Sequence, residues 1–173
     1  CTGTRHPRED RVIGRNLGPR LARCLRSVVT IGGPVVYVDS ASTDGSDRAA
    51  SDVEVPVLRL DPTTPLSAAR ARNAGFAWLL RACSTLEFVQ FVDGDCELDP
   101  GWTTRGLTEL EGSVRVAIAC GHVRERAAAQ GIVAARLLDV EWRGPTGEIR
   151  SCGGIFLVRV ACFSAVNGFD SNL

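Results

Sequence analysis

The sequence holds no lysine and no methionine, a single tyrosine, and two histidines in 173 residues. Every base is therefore arginine. With alanine and glycine plentiful, this bias points to a GC-rich coding sequence and says little about function. Without a methionine there is no initiator, so the chain is expected to begin internally. Charge of one sign is also missing: 20 bases balance 20 acids, which leaves no global field to draw nucleic acid or an anionic membrane. No apolar run approaches the roughly 18 residues that span a bilayer, and the start lacks the apolar core of a signal peptide. The expectation is a soluble chain of the cytoplasm or of the inner face of a membrane, with no nucleic-acid partner and no membrane span. The cysteines (Cys1, Cys24, Cys83, Cys96, Cys120, Cys152, Cys162) include no C-x-x-C pair, which argues against a zinc site. An odd count in a chain of this length argues against a secreted disulfide framework, so they read as mostly buried thiols in a reducing compartment.

What is present is alternation. The length suits one domain with a proper core. Val12-Ile13 reads as the end of a short strand. Between Leu17 and Val29, apolar Leu17, Leu21, Cys24, Leu25, Val28 and Val29 recur at helical spacing, with Arg20, Arg23 and Arg26 opposite. Val35 to Val38 is a fully apolar strand of the kind buried inside a parallel sheet. A short helix to about Asp52, a strand over 55–60, a long helix over 66–83 and a strand over 88–92 follow. Asp99-Pro100 reads as an N-cap with proline at the first helical position, opening a helix to Leu110. Beyond it come a strand over 114–119, a helix over 132–142, a strand over 155–158 and a helix over 161–166. The pattern predicts one α/β domain with a mostly parallel sheet and helices on both faces. No repeat, low-complexity segment or linker interrupts it. Residues 1–10 are expected to be a non-native or disordered segment, and 11–173 the domain.

In open α/β sheets ligands bind beyond the carboxyl ends of the strands, and the polar clusters fall there. Gly14-Arg15-Asn16 follow the first strand, Asp39-Ser40 the second, and Asp93-Gly94-Asp95 the fourth. Ser42 to Gly45 suit a turn and a helix start. Asp39, closing a buried strand, is a candidate binding residue.

Asp93 and Asp95 raise a sharper question, because neighbouring carboxylates repel unless a metal ion, arginines or water lies between them. Gly94 lets the backbone bend close to a ligand. Magnesium takes one or two carboxylates and fills its octahedron with water and phosphate oxygens, so this pair suits a metal–diphosphate site. An EF-hand is excluded, since Leu98 stands where its loop needs glycine. Arg70, Arg72 and Asn73 lie near a helix start, where dipole and arginine fork both favour phosphate. Two residues apart, Arg70 and Arg72 cannot share a helix face, so at most one reaches a ligand there.

Five stretches, "VIGRNLGPRLARCLRSV", "VVYVDSASTDGS", "SAARARNAGFAWL", "FVQFVDGDCELDPGW" and "CGGIFLVRVACFSAVNGFD", resemble in order the motifs of family 2 glycosyltransferases, over roughly Val12 to Asp170. The resemblance implies a Rossmann-like GT-A fold and an inverting enzyme. Its donor would be a nucleotide-diphospho-sugar and its acceptor a glycan, lipid or small molecule. By that resemblance Asp93-Gly94-Asp95 is the DxD motif. Asp95 would bind Mg2+ or Mn2+ on the diphosphate, and Asp93 would contact the ribose or the metal shell. Gly14, Arg15 and Asn16 would line the base pocket with Asp39. Arg72 and Asn73 would lie against the nucleotide, and Gly153-Gly154 would form the wall under the transferred sugar and the acceptor. The family's catalytic base normally follows the Gly168-Phe169-Asp170 stretch, so it is expected beyond Leu173 and the domain is expected to be incomplete at its C-terminus. Glu141 and Glu148 are the stand-ins within the chain. Two other readings stay open: a sugar-nucleotide-binding fragment without turnover, and a haloacid dehalogenase-like phosphatase, whose DxD normally sits on the first strand.

Overall fold

The computed structural model describes residues 8–121, 123–124, 141–142 and 152–171. Its main sheet has six strands in the order β3-β2-β1-β4-β8-β5. They are β1 (Arg8–Gly14), β2 (Val35–Asp39), β3 (Val57–Arg59), β4 (Phe88–Asp93), β5 (Ile118–Cys120) and β8 (Ile155–Arg159). The first four run parallel, while β8 is antiparallel to both β4 and β5. A two-stranded ribbon pairs β6 (Val123–Arg124) with β7 (Glu141–Trp142). The helices are α1 (Pro19–Val29), α2 (Ser46–Ser51), α3 (Ala68–Ala82), α4 (Trp102–Gly112) and α5 (Val160–Ala165).

The apolar runs become the inner strands because both sheet faces are covered. All five residues of β2 are buried, as are the first five of β4. Side chains alternate across the sheet. Val35 and Tyr37 join Leu21, Cys24, Leu25 and Val28 of α1 in one cluster, whereas Val36 packs with Leu79 of α3, Phe91 and Phe156. Helix α1 forms on the expected stripe and starts with Pro19 in its first turn, where the missing N–H costs nothing.

The chain winds outward through β2 and β3, then α3 carries it back across to the other side of β1. The connection therefore changes direction between β1 and β4. The carboxyl ends of these strands face the crevice at that switch point, with Gly14 level with Asp39 and Ile13 level with Asp93.

Several expectations shift. Strand β1 begins at Arg8, so residues 8–10, which belong to the N-terminal segment expected to be non-native or disordered, lie in the ladder beside β4. Helix α4 starts at Trp102 with Gly101 as N-cap in the left-handed region (φ 85°), not at Asp99-Pro100. The Asp99 carbonyl accepts from Trp102 N at 3.0 Å, and its carboxylate pairs with Arg105 at 2.9 Å, so the segment is a turn leading into the helix. The helix expected over 132–142 falls outside the described residues except for Glu141–Trp142, which are a strand. Of the six described cysteines, only Cys24 and Cys83 are buried; the other four are half-buried. No described helix is long and apolar enough to cross a membrane.

Candidate functional site

Four strand ends and one helix build the site. The β1–α1 loop and the β2–α2 loop are tied into one wall. Asn16 N donates to Ser42 Oγ at 3.0 Å, while Asn16 Oδ1 accepts from Thr43 N at 2.8 Å. Gly18 N donates to Asp44 Oδ2 at 2.8 Å, and Leu17 N to Ser46 Oγ at 3.1 Å. The Ser46 hydroxyl in turn donates to Asp44 Oδ1 at 2.6 Å. These bonds hold the Asp44 carboxyl below its ordinary range, the Ser46 hydroxyl first among them. Asn16 and Ala41 both adopt positive φ (52° and 59°), so this wall carries backbone strain that the cross-links hold in place.

Asp39 anchors the same wall from below. It is 3% exposed. Its Oδ1 accepts from the Tyr37 hydroxyl at 2.9 Å and its Oδ2 from Ser42 N at 3.0 Å. Burial raises the Tyr37 hydroxyl, which stays a neutral donor. The carboxylate is thus a loop-shaping group with one bond on each oxygen. Gly14 takes the Ser40 N–H on its carbonyl at 3.1 Å, while Arg15 is exposed.

Helix α3 supplies the opposite wall, and the two arginines near its start, Arg70 and Arg72, part as helical geometry requires. Arg70 turns back to the loop before the helix, its Nη1 donating to the carbonyls of Asp61, Thr64 and Pro65 at 3.0, 3.0 and 3.3 Å. Arg72 reaches the strand ends and bonds Asp93 Oδ1 through Nη2 at 2.8 Å. Its guanidinium stands 5.7 Å from the Phe156 ring centroid and 5.5 Å from that of Phe169. The Arg72 Nε is buried and has no partner among the described residues.

One of the two carboxylates therefore already has its cation. Asp93 is held by Arg72 on one side and pressed against Gly154 on the other. A Cβ at Gly154 would lie 2.7 Å from Asp93 Oδ2, and the Gly154 carbonyl takes the Asp93 N–H at 2.7 Å. Burial raises the Asp93 carboxyl; Arg72 opposes that rise and Asp95 adds to it. Asp95, two residues on, is exposed and accepts from the Cys96 thiol at 3.6 Å. Burial pushes that thiol up to about 12, so it remains a neutral S–H donor. Gly153 is exposed beside Gly154.

Asn73 is turned elsewhere. Its Nδ2 donates to the Phe169 carbonyl at 2.8 Å and to Ser171 Oγ at 3.2 Å, while its Oδ1 accepts from Phe169 N at 3.0 Å. The side chain clasps residues 169–171 onto α3, and Phe169 is thereby brought against Arg72. Of the two stand-in acids, Glu141 lies on the β6–β7 ribbon and Glu148 falls outside the described residues.

The sequence reading missed Phe156 and Phe169 beside Arg72, Tyr37 beneath Asp39, and the Asp44–Ser46 staple. Ring-over-guanidinium contacts join residues 84 and 97 positions apart, and no local pattern announces them. Tyr37 was legible, since a strand places residues two apart on one face.

A divalent ion can be tested against this set. Among the described residues no group of three or more His, Cys, Asp or Glu side chains converges on a protein-only cage. An open Asp95 carboxylate with an arginine-held Asp93 beside it fits an ion that draws most of its shell from phosphate oxygens and water. The unpartnered Arg72 Nε fits the same anionic ligand.

Comparison with known proteins bears on the fold and the family. In fold, 98% of the chain superimposes on 49% of the mannosyltransferase PcManGT from Pyrobaculum calidifontis, solved with GDP-Man and Mn2+, at 19% identity and a TM-score of 0.63. Glucosyl-3-phosphoglycerate synthase from Mycobacterium tuberculosis, solved with UDP, matches 89% of the chain at 16% identity and a TM-score of 0.63, over 57% of its own length. The same synthase with Mn2+, UDP-Glc and glycerol 3-phosphate gives 15% identity and a TM-score of 0.62. The chain spans about half the length of these structures. A comparison with curated proteins gave no match. The DxD strand is fourth in the chain rather than first, which sets the phosphatase reading aside. Residues 13–166 match the glycosyl transferase family 2 pattern, and the chain belongs to that family.

Proposed function

We propose that this chain is the donor-binding part of an inverting, divalent-metal-dependent glycosyltransferase. It moves a sugar from a nucleotide-diphospho-sugar to a hydroxyl of a glycan, lipid or small-molecule acceptor. The observation that carries this reading is the Arg72–Asp93 bond, made at the switch point of the sheet with Asp95 left open beside it. The stapled wall of Gly14, Arg15 and Asn16 over Asp39 receives the base and ribose. Asp93, fixed by Arg72, accepts from the ribose hydroxyls on its remaining lone pairs. Arg72 turns its free donors to the phosphates. Gly153 and Gly154, without side chains, leave room for the transferred sugar. Asp95 holds Mg2+ or Mn2+, and a divalent ion there supplies charge neutralisation on the departing nucleoside diphosphate. The Mn2+ and nucleotide complexes of the two structural relatives support the choice of ligand.

The test is calorimetric titration with UDP-, GDP- and dTDP-sugars, with and without Mn2+. At least one should bind, and only with the metal. Failure of all three in the presence of Mn2+ contradicts the proposal.

A further inference from the structure

The segment after α5 comes back to the site through contacts that the proposed donor set does not use. Asn167 and Gly168 both take positive φ (59° and 76°), and Gly168 N donates to the Phe163 carbonyl at 3.0 Å, so the chain turns back onto α3. There Asn73 pairs with Phe169 as a neighbouring strand would. Its Oδ1 accepts the Phe169 N–H at 3.0 Å, and its Nδ2 donates to the Phe169 carbonyl at 2.8 Å. The second Nδ2 hydrogen goes to Ser171 Oγ at 3.2 Å, so the amide keeps no donor for a nucleotide. Gly168 completes the fit, because a Cβ there would lie 2.5 Å from Asn73 Oδ1. With its backbone fixed, Phe169 enters the aromatic cluster, its ring centroid 5.8, 6.0 and 5.2 Å from those of Phe91, Phe156 and Phe163. The Arg72 guanidinium carbon stands 5.5 Å from the Phe169 centroid, within cation–π range.

These contacts close a loop. Asn73 holds the 169–171 segment by its backbone, and the ring carried by that segment meets Arg72. Arg72, which precedes Asn73 on α3, holds Asp93 Oδ1 at 2.8 Å. Phe156 meets the same guanidinium at 5.7 Å. A free arginine side chain samples many rotamers, and two rings with one carboxylate leave it few. We propose that Asn73 and Phe169 are positioning residues that set the Arg72 guanidinium on Asp93 with its remaining donors turned to the diphosphate of a nucleotide. The setting of Arg72 stands on the contacts themselves, while its consequence for nucleotide affinity rests on the proposed donor site. Asn73 thus acts on the donor through the 169–171 segment and Arg72, without touching it.

Two readouts test this: the arginine Nε–H signals of the ligand-free protein by heteronuclear NMR, and calorimetric titration with UDP, GDP and dTDP in Mn2+. Arg72→Lys identifies the Arg72 signal by its loss. In the wild type the two rings should hold that signal apart from those of exposed arginines. It should move towards them in Asn73→Ala and in Phe169→Leu, and stay in place in Phe169→Tyr, which keeps the ring. Phe169→Leu leaves the backbone bonds to Asn73 intact, so amide protection of residues 168–171 should persist while the Arg72 signal moves. A segment with a purely structural role would move neither. Asn73→Ala and Phe169→Leu should weaken the nucleotide that binds by about threefold to tenfold, and Phe169→Tyr should bind as the wild type does. An unmoved Arg72 signal in Phe169→Leu, or in Asn73→Ala once exchange at 168–171 has risen, would overturn the proposal. So would a moved signal with undiminished affinity. Failure of the wild type to bind any of the three would count against the donor site, and the Arg72 signal would still decide whether Asn73 and Phe169 set that side chain.

Discussion

Replacing Arg72 with alanine takes away the cation that faces Asp93 and leaves the carboxylate against Gly154. The pair is 2.8 Å apart, with side chains 17% and 33% exposed. Breaking a fully buried pair costs about 3–5 kcal/mol, and an exposed pair contributes about 0.2–1 kcal/mol. A site this far screened lies between, at about 2 kcal/mol. The two aromatic rings near the guanidinium add about 1 kcal/mol, so Arg72→Ala should lose about 3 kcal/mol of stability in urea titrations. A cycle with Asp93→Asn isolates the pair and should return a coupling of about 2 kcal/mol. The pH dependence gives an independent check. The folded Asp93 carboxyl is raised above its ordinary 3.8, so the fold favours its protonated form. Its contribution to stability is fully present below 3.8 and is lost as pH rises through the folded value. Without Arg72 that value rises further, and the unpaired charge disappears once the group is protonated. The deficit of Arg72→Ala should therefore be largest near neutral pH and shrink on acidification towards pH 4. Additive single substitutions, or a deficit that does not change with pH, would refute the reasoning.

Other expectations follow from the same contacts. Asn73→Ala removes three bonds that clasp Phe169 and Ser171; it should cost about 1–3 kcal/mol in urea unfolding and raise amide exchange in residues 168–171. Gly154→Ala would put a methyl 2.7 Å from Asp93 Oδ2, and should weaken Mn2+-dependent nucleotide binding at least tenfold by calorimetry through displacement of that carboxylate. The Asp44 carboxyl is lowered, chiefly by the Ser46 hydroxyl, so its stabilisation is present above 3.8 and lost as pH falls through its folded value. The stability gap between the wild-type protein and Asp44→Asn, read from thermal midpoints, should therefore close in acid.

The architecture was legible because the strands that matter are buried on both faces and read as almost wholly apolar runs, with Gln90 the polar exception. Val35 to Val38 and Phe88 to Val92 could be placed with their acids at one rim. The loss of register at Asp99-Pro100 has a local cause: a left-handed glycine was available two residues on, and a helix can begin there as readily as at an aspartate. Strand β1 was read too short because its first residues, Arg8, Glu9 and Asp10, carry charge and do not read as part of an apolar run. The motif placed Arg72 and Asn73 side by side against the nucleotide. Adjacent residues on a helix point about 100° apart, and the fold uses one at the rim and the other on the Phe169 backbone. Which carboxylate of the DxD pair keeps its charge open could not be read from spacing, because the partner of Asp93 comes from a helix 21 positions earlier.

Division of labour within that pair is the central claim: Asp93 is spoken for by Arg72, and Asp95 is the group that recruits the divalent ion with its diphosphate. Calorimetric titration of Asp95→Ala with Mn2+ and the nucleotide that the wild-type protein binds tests it most directly. Metal-dependent binding should vanish while the urea midpoint stays within error of the wild type, because Asp95 is exposed. Undiminished Mn2+-dependent affinity in Asp95→Ala would contradict it.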